Sequence, residues 1–200
     1  MKNIKYIVRP ALALFAITAV FTLILAVTNL LTIDVIADAR ENARLASMSY
    51  VMTGAVSFSD DVEPDAVNID VPASILTYTI GFDAASRPIG IVVQMAVTGW
   101  DRMIFLVGID LNGTVTGLDI IAHSETPGLG SRITDETYRH QFIGTTGDIR
   151  VLTRGIPNDN EVMAITGATI TVQVIADGIN DALIFVNDMV LPYIDNYSPQ

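Results

Sequence analysis

The residues best suited to chemistry in this sequence form one short polar stretch, Thr166-Gly167-Ala168-Thr169. Two hydroxyl groups stand here beside the least bulky backbone in the chain, and residues 170–189, which can form a helix, follow directly. The first turn of a helix has free N–H groups and the positive end of the helix dipole. Gly167 and Ala168 would let a ligand come close to the backbone. The stretch therefore predicts a turn that can receive a phosphate.

A second turn with unusual backbone freedom lies about forty residues earlier, in His123-Ser-Glu-Thr-Pro-Gly-Leu-Gly-Ser-Arg132. Its glycines and proline favour a rigid turn before a short helix. The side chains of Glu125 and Thr126 and several unpaired backbone N–H groups would converge at this turn. The spacing of the two turns alone predicts that they form one site for a phosphorylated ligand. The alternative for the second turn is that it only starts the helix that follows it.

Several other chemistries lack the residues they need. The chain has 0 Cys and 2 His, which excludes disulfides and thiolate metal sites and argues against a His-rich metal centre. No nucleophile elbow, dinucleotide fingerprint or Walker loop is present. We therefore predict no catalytic residue and no metal ligand, and any redox group would be organic.

The elements that must position these turns begin with strands. β-Branched and aromatic runs predict strands at 75–82, 89–97, 103–111 and 114–122, with a fifth candidate at 150–153. Asn112-Gly113 between two of these runs is a strong signal for a hairpin. The order of the elements predicts an α+β fold, in which an antiparallel sheet of hairpins has helices before and after it.

Helices are predicted at three places after the leader. Residues 34–52 keep a helical pattern, Glu136 to Phe142 forms a short helix, and 170–189 forms the last one, ended by Pro192. Gly178 inside the last helix would destabilise it by up to ~1 kcal/mol relative to Ala, which suggests close packing at that point.

Residues 10–33 carry no charge and would make roughly 36 Å of helix, enough to cross a membrane. Lysines and an arginine precede this run and Asp34 follows it, so the positive-inside rule places the N-terminus in the cytoplasm. We therefore predict a cytoplasmic leader and single transmembrane helix at 1–33, a connecting helix at 34–57 and an extracytoplasmic domain at 58–200.

The part of the chain after residue 33 is strongly acidic. It contains all 22 acidic residues but only 8 basic ones, a net charge of −14. This charge argues against a nucleic-acid partner and against docking on anionic lipid. The acidic segment 58–70 is predicted to be a solvated surface loop, with a calcium site as a weaker alternative.

The two turns together resemble a known family. Glu-Thr-Pro-Gly-Leu-Gly at 125–130, followed by Thr-Gly-Ala-Thr-Ile-Thr at 166–171, closely resembles the FMN-binding domain of the G subunit of Rnf ion-translocating electron transport complexes. It also resembles the C subunit of the sodium-translocating NADH:quinone oxidoreductase, although that subunit tends to be longer. The N-terminal apolar helix, the acidic domain and the Asn-Gly hairpin extend the similarity over nearly the whole chain.

The resemblance implies an electron-transfer subunit with FMN bound covalently, through a phosphoester between its phosphate and Thr169. It implies that a separate flavin transferase makes this bond from FAD, and that the other partners are membrane and peripheral subunits of a complex that couples ferredoxin:NAD electron flow to sodium or proton movement. The FMN-binding residues that it implies are Glu125, Thr126, Pro127, Gly128, Leu129, Gly130, Thr166, Gly167, Ala168, Thr169 and Thr171. One position departs from the family pattern, since Met163 stands where an Asp is usual.

Other interpretations remain open at this level. The chain could be the C-type subunit of the quinone oxidoreductase, an anchored extracytoplasmic binding or sensor domain without a redox role, or a structural subunit. Trp100 is expected in the core, with a place beside the flavin as the alternative.

Overall fold

A computed structural model describes residues 4–64 and 71–196 of the chain. It contains two compact units, Met1–Arg44 and Leu45–Gln200. Helix α1 comprises Ile4–Val51, so every described residue of the first unit is helical. The predicted helical continuation beyond residue 33 is therefore present, and it ends at Val51.

Helix α1 leaves large apolar side chains in contact with solvent along its N-terminal part. Leu12, Phe15, Leu25 and Leu30 are each more than 60% exposed. By length and composition, Val8–Val51 could cross a membrane. The segment Thr169–Ile194 passes the same test, but more than half of its most apolar window is buried, which identifies it as a core helix of the second unit.

The second unit is built on a five-stranded antiparallel sheet in the order β1-β2-β3-β4-β5. Its strands are β1 (Ser57–Phe58), β2 (Ile75–Phe82), β3 (Pro88–Thr98), β4 (Arg102–Asp110) and β5 (Val115–Ala122). Each strand pairs with its neighbour in sequence, so the sheet is a meander. This confirms the predicted α+β class and four predicted strands to within about two residues.

The Asn112-Gly113 hairpin is also confirmed. Gly113 has φ +73°, a conformation that glycine adopts without strain. The Asp110 carboxylate accepts hydrogen bonds of 2.8 Å from the N–H groups of Asn112 and Thr114. The turn therefore sets the pairing of β4 with β5.

The central strands are covered on both faces, which explains their continuous apolar sequences. Phe105 and Val107 in β4 face the main core, whereas Leu106 between them belongs to a second apolar cluster with Met48 and Met52. All five side chains are at most 2% exposed. The C-terminal end of α1 thus forms part of the second unit's core.

Glycines in the sheet let the end of α1 approach the strands closely. A Cβ atom at Gly108 or Gly117 would clash with the Val51 backbone, and one at Gly90 would lie 2.6 Å from the Met52 sulfur. The Thr116 hydroxyl donates a 2.6 Å hydrogen bond to the carbonyl of Val51, the last residue of the helix. Because glycine has no side chain at these positions, the backbones of the helix and the sheet can come into direct contact.

The other face of the sheet is covered by helix α3 (Thr169–Phe185). A Cβ atom at Gly178 would lie 2.9 Å from Val97 Cγ1 and 3.1 Å from Phe105 Cζ. The close packing expected at this glycine is confirmed.

The fifth candidate strand is present as β6 (Arg150–Leu152), but it lies outside the five-stranded sheet. It pairs in parallel with β7 (Glu161–Met163), a strand that the sequence did not predict. Pro192 does not end the last helical run, because α3 continues through a π turn at Val186–Val190 into a 3-10 helix at Leu191–Asn196. Proline near the start of a new helical segment removes no needed N–H group.

The acidic segment is more ordered than predicted. Val62 pairs with Tyr78 of β2, and the Thr79 hydroxyl donates a 2.7 Å hydrogen bond to the Asp61 carboxylate. Residues 65–70 lie outside the described residues. Among the residues that the structure describes, no group of three or more His, Asp or Glu side chains could hold a metal ion.

Candidate functional site

The two glycine-containing turns lie against each other in the folded chain. A Cβ atom at Gly167 would be 3.2 Å from Cδ2 of Leu129. The Thr171 hydroxyl donates a 3.0 Å hydrogen bond to Oε2 of Glu125. Residues 46 positions apart in sequence thus form one site.

The turn at 166–169 leads directly into the first turn of α3. Gly167 has φ +84°, and the Ala168 N–H donates a 2.9 Å hydrogen bond to the Ile165 carbonyl. Helix α3 starts at Thr169, and no side chain caps its N-terminus. The backbone N–H groups of this first turn are consequently available to an anion.

The three threonines near this turn differ in exposure. Thr166 and Thr169 are exposed, together with Gly167 between them, whereas Ala168 is buried. Thr171 is 0% exposed, and its hydroxyl is directed to Glu125 rather than to solvent. Thr166 and Thr169 therefore offer accessible hydroxyl groups, and Thr171 instead joins the two turns.

The turn at 125–130 is exposed at its tip and buried at its base. Gly128 has φ +78°, and its N–H donates a 2.9 Å hydrogen bond to the Ser131 hydroxyl. The exposed residues of this turn are Thr126, Pro127, Gly128 and Leu129, and Gly130 is buried. The tip can therefore contact a ligand while the base is held by the protein.

The Glu125 carboxylate occupies the space that Gly130 provides. A Cβ atom at Gly130 would clash with Oε2 of Glu125, so glycine is required there for the carboxylate to reach Thr171. The other oxygen, Oε1, is buried and has no hydrogen-bond partner among the described residues. A buried carboxylate oxygen without a hydrogen-bond partner is unfavourable.

The short helix α2 (Glu136–Arg139) and the 3-10 turn after it hold the strand that leads into the 166–169 turn. The Tyr138 hydroxyl donates a 2.9 Å hydrogen bond to the Met163 carbonyl, and Gln141 Oε1 accepts one of 2.8 Å from the Met163 N–H. Burial raises the pKa of the Tyr138 hydroxyl above its ordinary value. The sequence did not predict these two contacts with Met163. Their only signal in the sequence is the three-residue spacing of Tyr138 and Gln141.

Arg139 joins the same helix to the sheet and to the end of α1. Its guanidinium forms an ion pair with Asp119, donates a 3.2 Å hydrogen bond to the Leu118 carbonyl and lies 5.0 Å from the centre of the Tyr50 ring. Sequence reasoning missed this residue too, because its partners belong to two other elements.

Trp100 is not in the core, contrary to the expectation from the sequence. It is 77% exposed, in the turn between β3 and β4. The preceding residue, Gly99, donates its N–H to the Asp101 carbonyl over 3.2 Å, which closes a tight turn at this point.

The residues of the two turns fit the FMN group that the sequence resemblance implies. A phosphate could bind at the uncapped N-terminus of α3, beside the accessible hydroxyl groups of Thr166 and Thr169. A flavin ring could contact the exposed tip of the 125–130 turn and the apolar side chain of Leu129, which is 45% exposed. The site therefore offers polar groups at one end and apolar surface beside them.

Comparisons with known proteins agree with this geometry. Residues 99–184, which contain both turns, match the FMN-binding domain family, and residues 1–51 match the RnfG N-terminal region family. The G subunit of the Na(+)-translocating ferredoxin:NAD(+) oxidoreductase complex of Acetobacterium woodii is 30% identical over 187 residues, 88% of this chain and 89% of that protein. The G subunit of the ion-translocating oxidoreductase complex of Methanosarcina acetivorans is 31% identical over 189 residues, 94% of this chain and 98% of that protein.

The chain belongs to the Rnf complex G-subunit family.

The fold of this G-subunit family member is also found in a solved structure. The crystal structure of Shewanella oneidensis NqrC aligns with a TM-score of 0.50 and 22% identity, covering 65% of this chain and 66% of that one. This similarity concerns the fold alone. The relatives of nearly full length are G subunits, so the resemblance seen in the sequence is confirmed and the quinone-oxidoreductase alternative is not better supported.

Proposed function

We propose that this chain is a membrane-anchored electron-transfer subunit of an Rnf-type ferredoxin:NAD oxidoreductase and carries FMN as a phosphoester on Thr169. The observation that carries the proposal is the exposed Thr169 hydroxyl at the first residue of α3, beside the turn at 125–130 and within an FMN-binding domain. The chain has a redox role within a complex and does not turn over substrates alone.

The position of Thr169 supports a phosphoester physically. The N–H groups and dipole at the start of α3 stabilise a negatively charged phosphate. Gly167, at φ +84°, leaves the approach to the backbone free of a side chain. Thr166, exposed two residues before the buried Ala168, can donate its hydroxyl hydrogen to a phosphate oxygen.

The attachment reaction is a phosphoryl transfer from FAD made by a separate flavin transferase. The Thr169 oxygen forms a bond to the phosphorus on the FMN side, the P–O–P bond of FAD breaks, AMP leaves and the hydroxyl proton is released. No electron is transferred in this step. Thr169 needs only to be reachable by the transferase, which agrees with its exposure.

The bound FMN supplies one-electron redox chemistry. The residues of this chain would hold and orient it: the first turn of α3 would hold the phosphate, and the exposed tip at Thr126–Leu129 would contact the ring. A covalent tether prevents loss of the cofactor, so the ring can lie near the surface, within reach of a redox partner in the complex.

The orientation in the membrane follows from the charges around the apolar run. Lys2, Lys5 and Arg9 precede it and Asp34 and Asp38 follow it. The positive-inside rule then places the N-terminus in the cytoplasm and the FMN-binding domain on the outer side. The coupled ion is sodium or a proton, as the names of relatives include both.

Intact mass measurement tests the covalent link. The full chain, made together with a flavin transferase, is expected to exceed its sequence mass by one FMN residue after denaturation. Thr169→Ala should abolish the increase, and Thr146→Ala, which removes an exposed hydroxyl outside the two turns, should retain it. Release of all flavin on denaturation of the wild-type chain would disprove the link.

A further inference from the structure

We infer that α1 binds a transmembrane helix of another subunit of the complex through a polar face centred on Thr22 and Asn29. The relatives of nearly full length are subunits of ion-translocating complexes, so other subunits are the partners available to this helix. The inference rests on the membrane anchor of the proposed function and not on the attachment of FMN.

The polar side chains of the uncharged run 10–33 lie on one side of α1. With 3.6 residues per turn, these side chains lie within about 120° of the helix circumference. They form the polar face, which consists of Thr18, Thr22, Thr28, Asn29 and Thr32. The opposite side is apolar, with side chains between 47% and 73% exposed at Val20, Ile24, Val27 and Leu31. Helices that associate in a membrane direct hydroxyl and amide side chains to the partner helix, so a contact is expected at the polar face.

Two side chains of the polar face have no hydrogen-bond partner in the part of the chain that the structure describes. The other three hydroxyls donate bonds of 2.9 or 3.0 Å to backbone carbonyls one turn earlier in α1, and they belong to Thr18, Thr28 and Thr32. The Thr22 hydroxyl and the Asn29 amide make no such bond. Hydrocarbon offers no hydrogen bonds, and an unpaired polar group is unfavourable there. These two groups therefore need a partner from outside α1.

A single partner helix can reach both Thr22 and Asn29. Seven residues separate them, so they lie about 20° apart around the helix and about 10.5 Å apart along it. Two helices that cross at about 20° stay in contact over this distance. Leu25 lies between them on the same face and would pack against the partner helix.

The chemistry of the two side chains defines the kind of partner. The Asn29 amide has two N–H donors and one carbonyl acceptor, and the Thr22 hydroxyl can donate or accept. The partner helix must therefore offer polar side chains about two turns apart, which lipid acyl chains cannot do. A second copy of α1 would offer the same groups, but the membership of the relatives in complexes with other subunits favours a different subunit.

Photo-crosslinking in native membranes tests which side of α1 is covered. A photoreactive amino acid placed at Leu25, on the polar face, should crosslink to a membrane subunit of the complex severalfold more than the same amino acid placed at Val27, on the opposite side. Equal yields at the two positions, or attachment to lipid alone at Leu25, would overturn the inference. A product with two copies of this chain would overturn it too, and would assign the polar face to self-association.

A second experiment removes the two polar groups. Asn29→Leu combined with Thr22→Val makes α1 more apolar and so does not weaken its insertion into the membrane. In detergent, severalfold less of this double variant than of the wild-type chain should co-purify with the other subunits. The matched double variant on the opposite side, Ile24→Leu with Val27→Leu, should co-purify like the wild-type chain. Equal co-purification of the two double variants would contradict the inference.

Membrane fractionation and intact mass separate this inference from the proposed function. A variant with Asn29→Leu and Thr22→Val that stays in the membrane, carries the FMN mass and co-purifies normally contradicts only the helix contact. Release of the wild-type chain from membranes by alkaline carbonate contradicts the proposed anchor. A wild-type chain that stays in the membrane without the FMN mass contradicts only the proposed attachment.

Discussion

The Thr171 hydroxyl donates a 3.0 Å hydrogen bond to Oε2 of Glu125, and this contact joins the two turns of the proposed FMN site. Thr171 is fully buried, and the second oxygen of Glu125 is buried without a partner among the described residues. The contact therefore holds together the turn proposed to bind the phosphate and the turn proposed to face the ring. Loss of this hydrogen bond should lower the stability of the folded chain and change the surroundings of the proposed flavin.

Thr171→Val should lower the free energy of unfolding by about 1–3 kcal/mol, because it leaves a buried carboxylate without its donor. Urea unfolding of the full chain in detergent, followed by near-ultraviolet circular dichroism, measures this change. Thr171→Ser keeps the hydroxyl, so its free energy of unfolding should fall clearly less. Because Val keeps the methyl group that Ser lacks, a loss in Thr171→Val no larger than that in Thr171→Ser would contradict the importance of the hydrogen bond.

Gly130→Ala should displace the Glu125 carboxylate, because the added Cβ occupies its place. Overpacking of this kind typically costs about 1–3 kcal/mol. The cost should fall when Gly130→Ala is made in a Glu125→Ala background, because Oε2 and Cδ are then absent and only the Cβ at position 125, 2.9 Å away, remains close. A double-mutant cycle with no coupling between the two positions would contradict this steric account.

Gly178→Ala tests the packing of α3 on the sheet. Alanine would improve helix propensity by up to ~1 kcal/mol, but its Cβ would lie 2.9 Å from Val97 Cγ1, and overpacking costs about 1–3 kcal/mol. We expect a net decrease in the melting temperature of the chain. Ile184→Ala, at a position of the same helix that is 60% exposed, should change stability by only about 0.5 kcal/mol.

Stability should decrease at alkaline pH because of Tyr138. Burial raises the pKa of its hydroxyl in the folded chain, so the folded state keeps a proton that the unfolded state loses above about pH 10. This contribution is therefore complete below pH 10 and declines as the pH rises further. Tyr138→Phe should be less stable at neutral pH, through loss of the hydrogen bond to Met163, but should lose less additional stability between pH 9 and 11. Parallel pH profiles for the two proteins would contradict this prediction.

Local sequence signals predicted much of the fold. Asn112-Gly113 predicts its hairpin because the required backbone conformation is set by those two residues alone. The continuous apolar sequence of β3 predicts a strand buried on both faces, and Gly178 predicts close packing. These features depend on neighbours in the chain, so they can be read without knowing the tertiary structure.

Other features depend on contacts between distant segments. The residues of β6 look like a further sheet strand, but their partner is the parallel strand β7, brought beside them by the connecting turn. Trp100 looks like a core residue by its type, yet the turn at Gly99 leaves it exposed. Residue type gives hydrophobicity, but only the path of the chain gives its position.

The family, the apolar N-terminal helix and the two turns of the site could all be inferred from the amino-acid sequence, because short motifs and composition carry these properties. The same motifs identified Thr169 as the residue proposed to hold the FMN phosphate. The folded chain was needed to show that Thr171 contacts Glu125 and not the solvent, and that Gly99 lies beside Thr171 and Val174 of α3. Such contacts join segments far apart in the chain, where side-chain packing and hydrogen bonding, and not local preference, fix each position.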